Sequence, residues 1–335
     1  MREALLSGRT ILVPDNVTFA FNPMRVKIDD AAGVIAISIT DGEQTFTDSR
    51  EPIGGKVAFD LSLYARSFFA IDRISQVNAK KLTCTITEGL NTSTFTTLTI
   101  WGAMNIGEIF NGDTKAIWYK NLPFTFTIYA VDDVTIKASA EGGAPQSLTL
   151  KQGYHHIDPS TIFNPTRFGT ISITGDLSTS VWEYTFDETF RGLTDIQEVT
   201  KYLEVSECTT GIYMRWLNRH GGYSYYLFKQ GEEITQSKMD GADVGVHSDS
   251  LYEYTGIYRP KVKETGRIIK AAASLVDVDI FRMISTIFTS PMVDMYLNGV
   301  WTPVLINDNN LADTGKPLQD IEIEIIMPKI VTQSL

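Results

Sequence analysis

Apolar and polar residues alternate with a period of two through much of the first hundred positions. The pattern is clearest at residues 26–28, 34–39 and 82–87, and it is typical of strands with one buried face. Turn-forming residues at 29–33 and 41–42 separate these strands. They predict a meander of hairpins.

Two β-regions precede residue 193. We expect an N-terminal β-domain over residues 1–102, in which only residues 61–69 have a helical pattern. A second β-domain is expected over residues 103–192, a small sandwich or barrel with glycine and proline in its loops. Its predicted strands include residues 124–129, 134–138 and 171–173.

Residues 193–335 predict a third module that mixes both periods. Residues 211–217 and 223–228 are aromatic-rich and flank a glycine-containing turn at 218–222, which predicts a hairpin. A helix is expected near 275–289, with Ser274 and Asp277 as a capping box. Three strands should follow, at residues 292–297, 302–306 and 320–327, with a type I′ turn at Asn298-Gly299 between the first two. The predicted fold class is therefore mainly β: two N-terminal sandwich-like or barrel-like modules, then a β-module with one long helix.

Composition narrows the range of partners. The 335 residues are 43% hydrophobic and 21% charged, as in folded proteins, and the formal net charge is −11. No basic tract is long enough to follow a phosphate backbone, so nucleic acid is not an expected partner. The N-terminal residues lack a signal-peptide core, and no apolar run has the length of a membrane span. We expect a protein that is soluble when made and does not insert into a membrane.

No motif indicates an enzyme. The sequence lacks a nucleophile elbow, a Walker loop, a dinucleotide fingerprint and a zinc-protease helix. Four histidines offer no recognisable triad. The carboxylate pairs Asp187/Glu188 and Glu322/Glu324 invite a glycosidase interpretation, but the latter pair alternates with isoleucines and is simpler to explain as the solvent face of a strand. We expect no catalytic residues and no cofactor.

Candidate metal ligands are sparse. His155 and His156, near Asp158, would point to opposite faces of a strand, so a loop between Gly153 and Pro159 is the simpler interpretation. The stretch with Asp240, Asp243 and Asp249 lacks the spacing of an EF-hand. Both cysteines, Cys84 and Cys208, are expected to be buried hydrophobic residues. The sequence predicts no metal site.

One hairpin concentrates large amphipathic residues. Three interpretations stay open for them: a domain core, a subunit interface, or a platform of exposed rings for carbohydrate. The candidate interface residues are Tyr213, Arg215, Trp216, His220, Tyr223, Tyr225 and Tyr226.

Several segments, taken together, resemble structural tail proteins of tailed phages and prophages of Bacteroides-type bacteria. They are FAFNP at 19–23, IWGAMNIGE at 100–108, IWYKNLPFTF at 117–126, YMRWLNRHGGY at 213–223, FTSP at 288–291 and WTPV at 301–304. The resemblance implies a distal-tail or tail-tip role, in which subunits form a ring, and a tail-tube-like module of hairpin, helix and further strands. It carries over no catalytic residues.

The resemblance also implies partners and a location. The expected partners are other copies of the chain, in a ring, and neighbouring tail proteins; the expected location is the virion tail, after synthesis in the bacterial cytoplasm. Ring contacts map to residues 211–258, where the polar stretch 231–249 is too long for an ordinary connection and should be mobile or ordered by a neighbour. The alternative is a carbohydrate-binding or adhesin-like module, with a host-surface polysaccharide as ligand.

Overall fold

The structure, a computed structural model, confirms the mainly β fold, with several sheets, one six-stranded barrel and a helix near the C-terminus. The chain forms two compact units: residues 1–205 with 217–223, and residues 206–216 with 224–335. The structure describes residues 1–70, 79–103, 115–130, 133–140, 144, 146–151, 153–161, 170–176, 198–219, 221–246, 257–307 and 313–328.

The first unit begins with a β-sandwich of two sheets, which we call the N-terminal sandwich. One sheet has the strand order β1-β2-β4-β7, and the other has the order β3-β9-β8-β5-β6. The strands are β1 (Arg2–Leu6), β2 (Arg9–Val13), β3 (Val17–Phe19), β4 (Arg25–Ile28), β5 (Ile35–Thr40), β6 (Thr45–Arg50), β7 (Val57–Asp60), β8 (Ala79–Glu88) and β9 (Asn91–Ile100).

An aliphatic core fills the space between these two sheets. In β5 and β8 every second residue is buried, as the alternation predicts, and Ile37 and Cys84 both belong to this core. The short helix α1 (Ser62–Ser67) lies within the predicted helical segment and adds Ala65 to the core. Burial raises the pKa of the Cys84 thiol to about 12. Cys208 is exposed, so the prediction that both cysteines are buried is wrong for Cys208.

The predicted meander is wrong at residues 29–33. That segment joins β4, which pairs with β2 and β7, to β5, which pairs with β6 and β8 in the opposite sheet. A turn-forming composition shows where a strand ends, but not which sheet the next strand enters. The turn after β5 is a hairpin as predicted, because the Asp41 carboxylate accepts hydrogen bonds from the backbone N–H groups of Glu43 and Gln44.

The rest of the first unit contains a five-stranded sheet of order β10-β16-β15-β12-β13 and the pair β11-β14. The predicted boundary at residues 192/193 lies outside the described residues, and β16 pairs with β15, so this sheet extends to Ser206. The strands are β10 (Lys115–Tyr119), β11 (Phe126–Ala130), β12 (Val134–Ala140), β13 (Gln146–Leu150), β14 (Gly153–Ile157), β15 (Thr170–Asp176) and β16 (Glu198–Ser206).

The second unit is built on a closed barrel of order β17-β18-β19-β22-β21-β20. The aromatic hairpin and the last three strands form as predicted, and Asn298 and Gly299 take the positive φ values (50° and 85°) that a type I′ turn requires. The strands are β17 (Ile212–Leu217), β18 (Tyr223–Val246), β19 (Ile257–Asp277), β20 (Val293–Leu297), β21 (Val300–Ile306) and β22 (Leu318–Ile326).

Two features of this unit differ from expectation. The stretch predicted to be an irregular connection, residues 231–249, is part of β18 as far as Val246. The sequence pattern predicts no strand at the position of β19. The helix α2 (Val278–Ser285), followed by a 3₁₀ turn at Thr286–Thr289, is capped by Asp277, whose Oδ1 accepts a hydrogen bond from Ile280 N at 2.9 Å. Ser274 belongs to β19 instead. Neither helix in the described residues has the length and apolar character of a membrane span.

Candidate assembly surface

The turn of the aromatic hairpin is tightly constrained. Asn218 N donates to Gly222 O at 2.8 Å, and Asn218 Oδ1 accepts from Gly222 N at 3.0 Å. Within the first unit, Ala103 N donates to Arg219 O at 2.7 Å, and a Cβ at Gly102 would lie only 2.3 Å from that oxygen. The turn is therefore held by contacts within the chain.

Most of the predicted interface residues are buried. The relative exposure of Tyr213 is 3%, that of Trp216 is 0% and that of Tyr225 is 5%. Tyr223 and Tyr226 are each 8% exposed. Arg215 is half-buried, and His220 lies outside the described residues. These side chains fit the core interpretation of the hairpin, and their role in a subunit interface stays a prediction.

The buried side chain of Trp216 links two elements of the barrel unit. Its indole N–H donates to Thr286 Oγ1 at 2.8 Å, which ties β17 to the 3₁₀ turn that follows α2. Burial, reinforced by the nearby charge of Asp277, raises the pKa of Tyr226. Both residues therefore support the packing of the barrel.

An aromatic cluster lies on one face of the barrel wall. Tyr213 stacks on Tyr225 with ring centroids 6.1 Å apart, and Trp301 lies 5.5 Å from Tyr213 and 5.0 Å from Tyr296. The register explains the set, because Tyr296 is directly opposite Trp301 across the β20–β21 turn. Sequence reasoning did not select Tyr296 and Trp301 as site residues, although the Asn298-Gly299 turn fixes this pairing.

Arg215 completes the cluster. Its guanidinium carbon lies 4.5 Å from the centroid of the Trp301 ring, and its Nε donates to Asp294 Oδ2 at 2.9 Å. Arg215 is opposite Asp294 in the β17–β20 ladder, so the ion pair follows from the register. Tyr296 and Trp301 are half-buried. They are the rings of this cluster that solvent reaches, and one face of Trp301 is covered by Arg215.

The most unusual feature of the second unit is a two-stranded ribbon that continues past the barrel. Gly211 is the residue before β17, and a Cβ added to it would lie 2.3 Å from Phe228 O. The first residue of β17 is therefore level with Phe228 of β18. On the other side, the ladder of β22 with β19 begins at Ile268, and Met327 N donates one further hydrogen bond to Arg267 O at 2.9 Å. Beyond these levels, β18 and β19 pair with each other as far as Val246 and Ile257. We call residues 235–246 and 257–267 the arm.

Charged pairs mark the base of the arm. Arg267 Nε lies 2.6 Å from Glu233 Oε1, and Lys270 Nζ lies 3.4 Å from Glu232 Oε2. The change in burial is abrupt along one face of β19, since Ile269 is 3% exposed whereas Arg267 is half-buried. Burial along β19 therefore falls between Ile269 and Arg267, where we set the base of the arm.

The other candidate metal ligands are two adjacent histidines and three aspartates between residues 240 and 249. His155 and His156 lie in β14, which replaces the expected loop; His155 Nε2 is 2.6 Å from Lys151 O, and His156 Nδ1 is 3.3 Å from Thr127 Oγ1. In the part of the chain that the structure describes, no group of three or more His, Cys, Asp or Glu could hold a metal ion. Asp240 and Asp243 belong to the arm, and Asp249 lies outside the described residues.

Comparisons with protein families and with curated proteins identify no relative. A scan against protein-family models finds no match to this chain, and a search of the curated proteins finds no similar sequence. The resemblance to phage tail proteins stays a prediction from the sequence.

Proposed function

We propose that this chain is a non-enzymatic structural protein of a bacteriophage or prophage tail, which assembles with copies of itself into a ring and contacts neighbouring tail proteins. The observation that carries the proposal is the arm. It is a long antiparallel ribbon, with one register shift between Asp240 and Asp243, that continues beyond the described ends of β17 and β22.

A ribbon of this kind gains little stability by itself. At about 3.3 Å per residue, its 12 residues from Thr235 to Val246 span about 40 Å. An isolated two-stranded hairpin is only marginally stable in water, and open strand edges invite further pairing. The neighbours of β18 in the sheet order are β17 and β19, and those of β19 are β18 and β22. Because β17 and β22 stop before the arm, the described residues supply it with no third strand, and another molecule is the natural partner.

A closed ring satisfies this requirement for every copy. An arm that contacts a different surface of the next copy makes a heterologous contact, which closes into a ring when the rotation permits. The resemblance to distal-tail proteins supports the same arrangement and supplies the biological setting.

The test removes the arm and keeps the barrel. In the variant, residues 236–266 are replaced by Asn-Gly, so that a type I′ turn joins Thr235 to Arg267, which already face each other. Light scattering across concentration and electron microscopy should show rings for the full chain and monomers for the variant. Leu90→Ser, at an exposed hairpin tip in the first unit, is the control and should assemble normally.

Two outcomes would count against the proposal. Rings that persist without the arm would reject the arm as the interface, and a full chain that stays monomeric at the highest concentration would reject self-assembly. The biological setting has its own test, because antibodies against the chain should label one end of purified tails. Their absence from complete tails would exclude a tail protein.

A second candidate function is carbohydrate binding, and the half-buried rings of Trp301 and Tyr296 favour it. A sugar would have to use the ring face that Arg215 leaves uncovered. Binding on a glycan array that is lost in Trp301→Ala, with folding intact, would support this function. Tyr225→Ala is less informative, because Tyr225 is buried and its loss would disturb the barrel.

A further inference from the structure

Four aliphatic residues form a continuous row across the wall of the barrel. In an antiparallel ladder, directly opposite residues share a face, and successive residues alternate between the two faces. Ile268 of β19 is opposite Ile234 of β18 and also opposite Ile326 of β22. Ile326 is in turn opposite Leu305 of β21. The row therefore crosses four neighbouring strands at one level, and we call these four residues the apolar stripe.

The apolar stripe faces outward. Ile269 and Ile325 are 3% and 0% exposed and point into the barrel, so their chain neighbours Ile268 and Ile326 point away from it. Leu305 is 69% exposed, and the other three members of the stripe are half-buried. In β19, Ile268 is the residue that directly follows the arm. The stripe is thus an exposed apolar surface at the base of the arm, and contiguous surfaces of this kind mark contact sites.

A second exposed apolar patch lies at the other end of the same two strands. Leu318, the first residue of β22, is 51% exposed, and Leu275 of β19 is 70% exposed. They lie close together because a bulge in β19 places Leu275 beside Asp320, two residues from Leu318. We call Leu275 and Leu318 the leucine tip. At about 3.3 Å per residue, the eight steps from Leu318 to Ile326 separate the tip from the stripe by about 26 Å.

The backbone of Leu275 is strained. Its φ is 54°, in the left-handed region that glycine adopts freely and that is unfavourable for leucine. The Asp320 carboxylate holds this conformation, because its Oδ1 accepts a hydrogen bond from Leu275 N at 2.7 Å. Strained positions of this kind concentrate at functional sites, and here the strained residue presents an apolar side chain to solvent.

We propose that the leucine tip of one copy packs on the apolar stripe of the next copy. The inference rests on the proposed self-assembly and names the surfaces that meet. Because the two patches lie at opposite ends of one wall, the contact is heterologous, and it repeats from copy to copy until a ring closes. Stable interfaces bury about 20–30 residues on each side. The stripe therefore acts together with the arm, which begins beside it.

The residues between the two patches favour a second copy as the occupant. The outward positions of β22 between tip and stripe are Asp320, Glu322 and Glu324. This acidic wall, in a chain with a formal net charge of −11, opposes a polyanion or an anionic lipid surface. The stripe is aliphatic and offers a sugar no aromatic ring for stacking. A second copy supplies an apolar surface for each patch, since every copy carries one tip and one stripe.

The first test uses the strain at Leu275 in the full chain. Leu275→Gly removes the exposed leucine and relieves the positive φ, so thermal melts should show a melting temperature no lower than that of the native chain. Light scattering across concentration should show self-association weakened at least about tenfold. Asn298→Gly, at another exposed position of positive φ in the barrel, is the matched control and should assemble normally. Normal assembly of Leu275→Gly would exclude the leucine tip as a contact.

A charge swap tests which surfaces meet. Leu275→Lys and Leu305→Asp each place a charge in the apolar contact, so each variant alone should associate at least about tenfold more weakly than the native chain. In an equimolar mixture, alternating copies bring each new lysine against an aspartate and each remaining Leu275 against a native Leu305. Association should therefore recover in the mixture. Leu90→Asp, at the exposed hairpin tip of the sandwich, is the control and should change nothing.

Four outcomes would count against the pairing of tip and stripe. A mixture that stays dissociated would show that the two patches do not meet. Rings that persist in each single variant would remove this contact and leave assembly through the arm intact. A native chain that is monomeric at the highest concentration would overturn the proposed function itself. Flotation with vesicles of phosphatidylcholine and phosphatidylglycerol that is lost in Leu305→Asp, without self-association, would assign the stripe to a lipid surface.

Discussion

The N-terminal sandwich and the C-terminal barrel solve the problem of exposed strands in different ways. In the sandwich, both sheets contribute aliphatic residues to one core, and the part-buried ion pair of Arg9 and Glu88 joins the two sheets. In the barrel, closure removes the edges of six strands, but two of those strands continue outward as the arm. The described strands of the sandwich share one core, whereas the arm continues beyond the described ends of β17 and β22.

This difference separates residues that stabilise the fold from residues available to a partner. The large aromatic residues of the barrel hairpin are buried and belong to the first group. The proposed assembly assigns the arm to the second group. The burial of the aromatic residues fits a role in the core, and their role in a subunit interface stays a prediction. The following variants test the separation, beginning with the largest expected change in stability.

Trp216→Ala should lower the free energy of unfolding of the barrel by about 4 kcal/mol, since it removes a fully buried indole and leaves a cavity. The measurement is urea denaturation followed by circular dichroism. Trp216→Phe keeps most of the ring and loses the hydrogen bond to Thr286, so its effect should be about 1–2 kcal/mol. If Trp216→Ala kept native stability but no longer assembled, Trp216 would be assigned to the interface.

Glu88→Gln should destabilise the sandwich by about 2 kcal/mol. Glu88, at the end of β8, accepts hydrogen bonds from Arg9 in β2, from Ser7 in the turn between β1 and β2, and from Ala32 N at 2.9 Å. The glutamine keeps the size but loses the charge that Arg9 faces. Thermal melts should show the loss, while Glu43→Gln, at an exposed turn, should leave the melting temperature unchanged.

The same pair predicts a pH dependence. The hydrogen bond from Arg9, assisted by that from Ala32 N, lowers the pKa of Glu88 against the opposing effect of burial. A lowered pKa in the folded state means that the pair stabilises the fold above the ordinary pKa of glutamate. That contribution is lost as the pH falls through the lowered value. The difference in stability between the native chain and Glu88→Gln should therefore shrink on acidification; a constant difference would contradict the ion pair.

Asp277→Ala should lower stability by about 1 kcal/mol, because the side chain caps α2 by accepting from Ile280 N. Ser274→Ala is a matched control at an exposed position of β19 and should change stability by less than about 0.5 kcal/mol. If chemical denaturation showed a larger loss of stability for Ser274→Ala than for Asp277→Ala, Ser274 would contribute to the cap as the sequence predicts.

Sequence reasoning succeeds here where the signal is local. Alternation identifies β5 and β8, and positive-φ residues identify the Asn298-Gly299 turn, because neighbouring residues determine both. Glu322 and Glu324 are on the more exposed face of β22, between buried isoleucines, as the pattern predicts. Each of these features needs no knowledge of distant contacts.

It fails where pairing between distant segments decides the outcome. The crossing from β4 to β5 depends on which sheet accepts the strand, and nothing in residues 29–33 encodes that choice. The outer part of β18 is polar and contains glycine, so it resembles a loop; it is a strand because β19 supplies a complementary ladder. The burial of Tyr213 and Tyr225 likewise depends on Trp301, more than seventy residues away.

Deletion of the arm is the largest of these changes in sequence, and we expect it to have the smallest effect on stability. Replacing residues 236–266 by Asn-Gly removes backbone pairs of the arm, whereas Ile269, a buried residue of β19, stays in place. The salt bridge between Arg267 and Glu233 also remains. We therefore expect the free energy of unfolding of the monomeric barrel to change by less than about 1 kcal/mol, measured at low protein concentration by chemical denaturation. At high concentration the native chain should become more stable than the variant, because assembly adds a concentration-dependent term that the variant lacks. A barrel that unfolds without its arm would show that the arm stabilises the fold of the single chain. The proposed contrast between the sandwich and an arm that binds a partner would then be wrong.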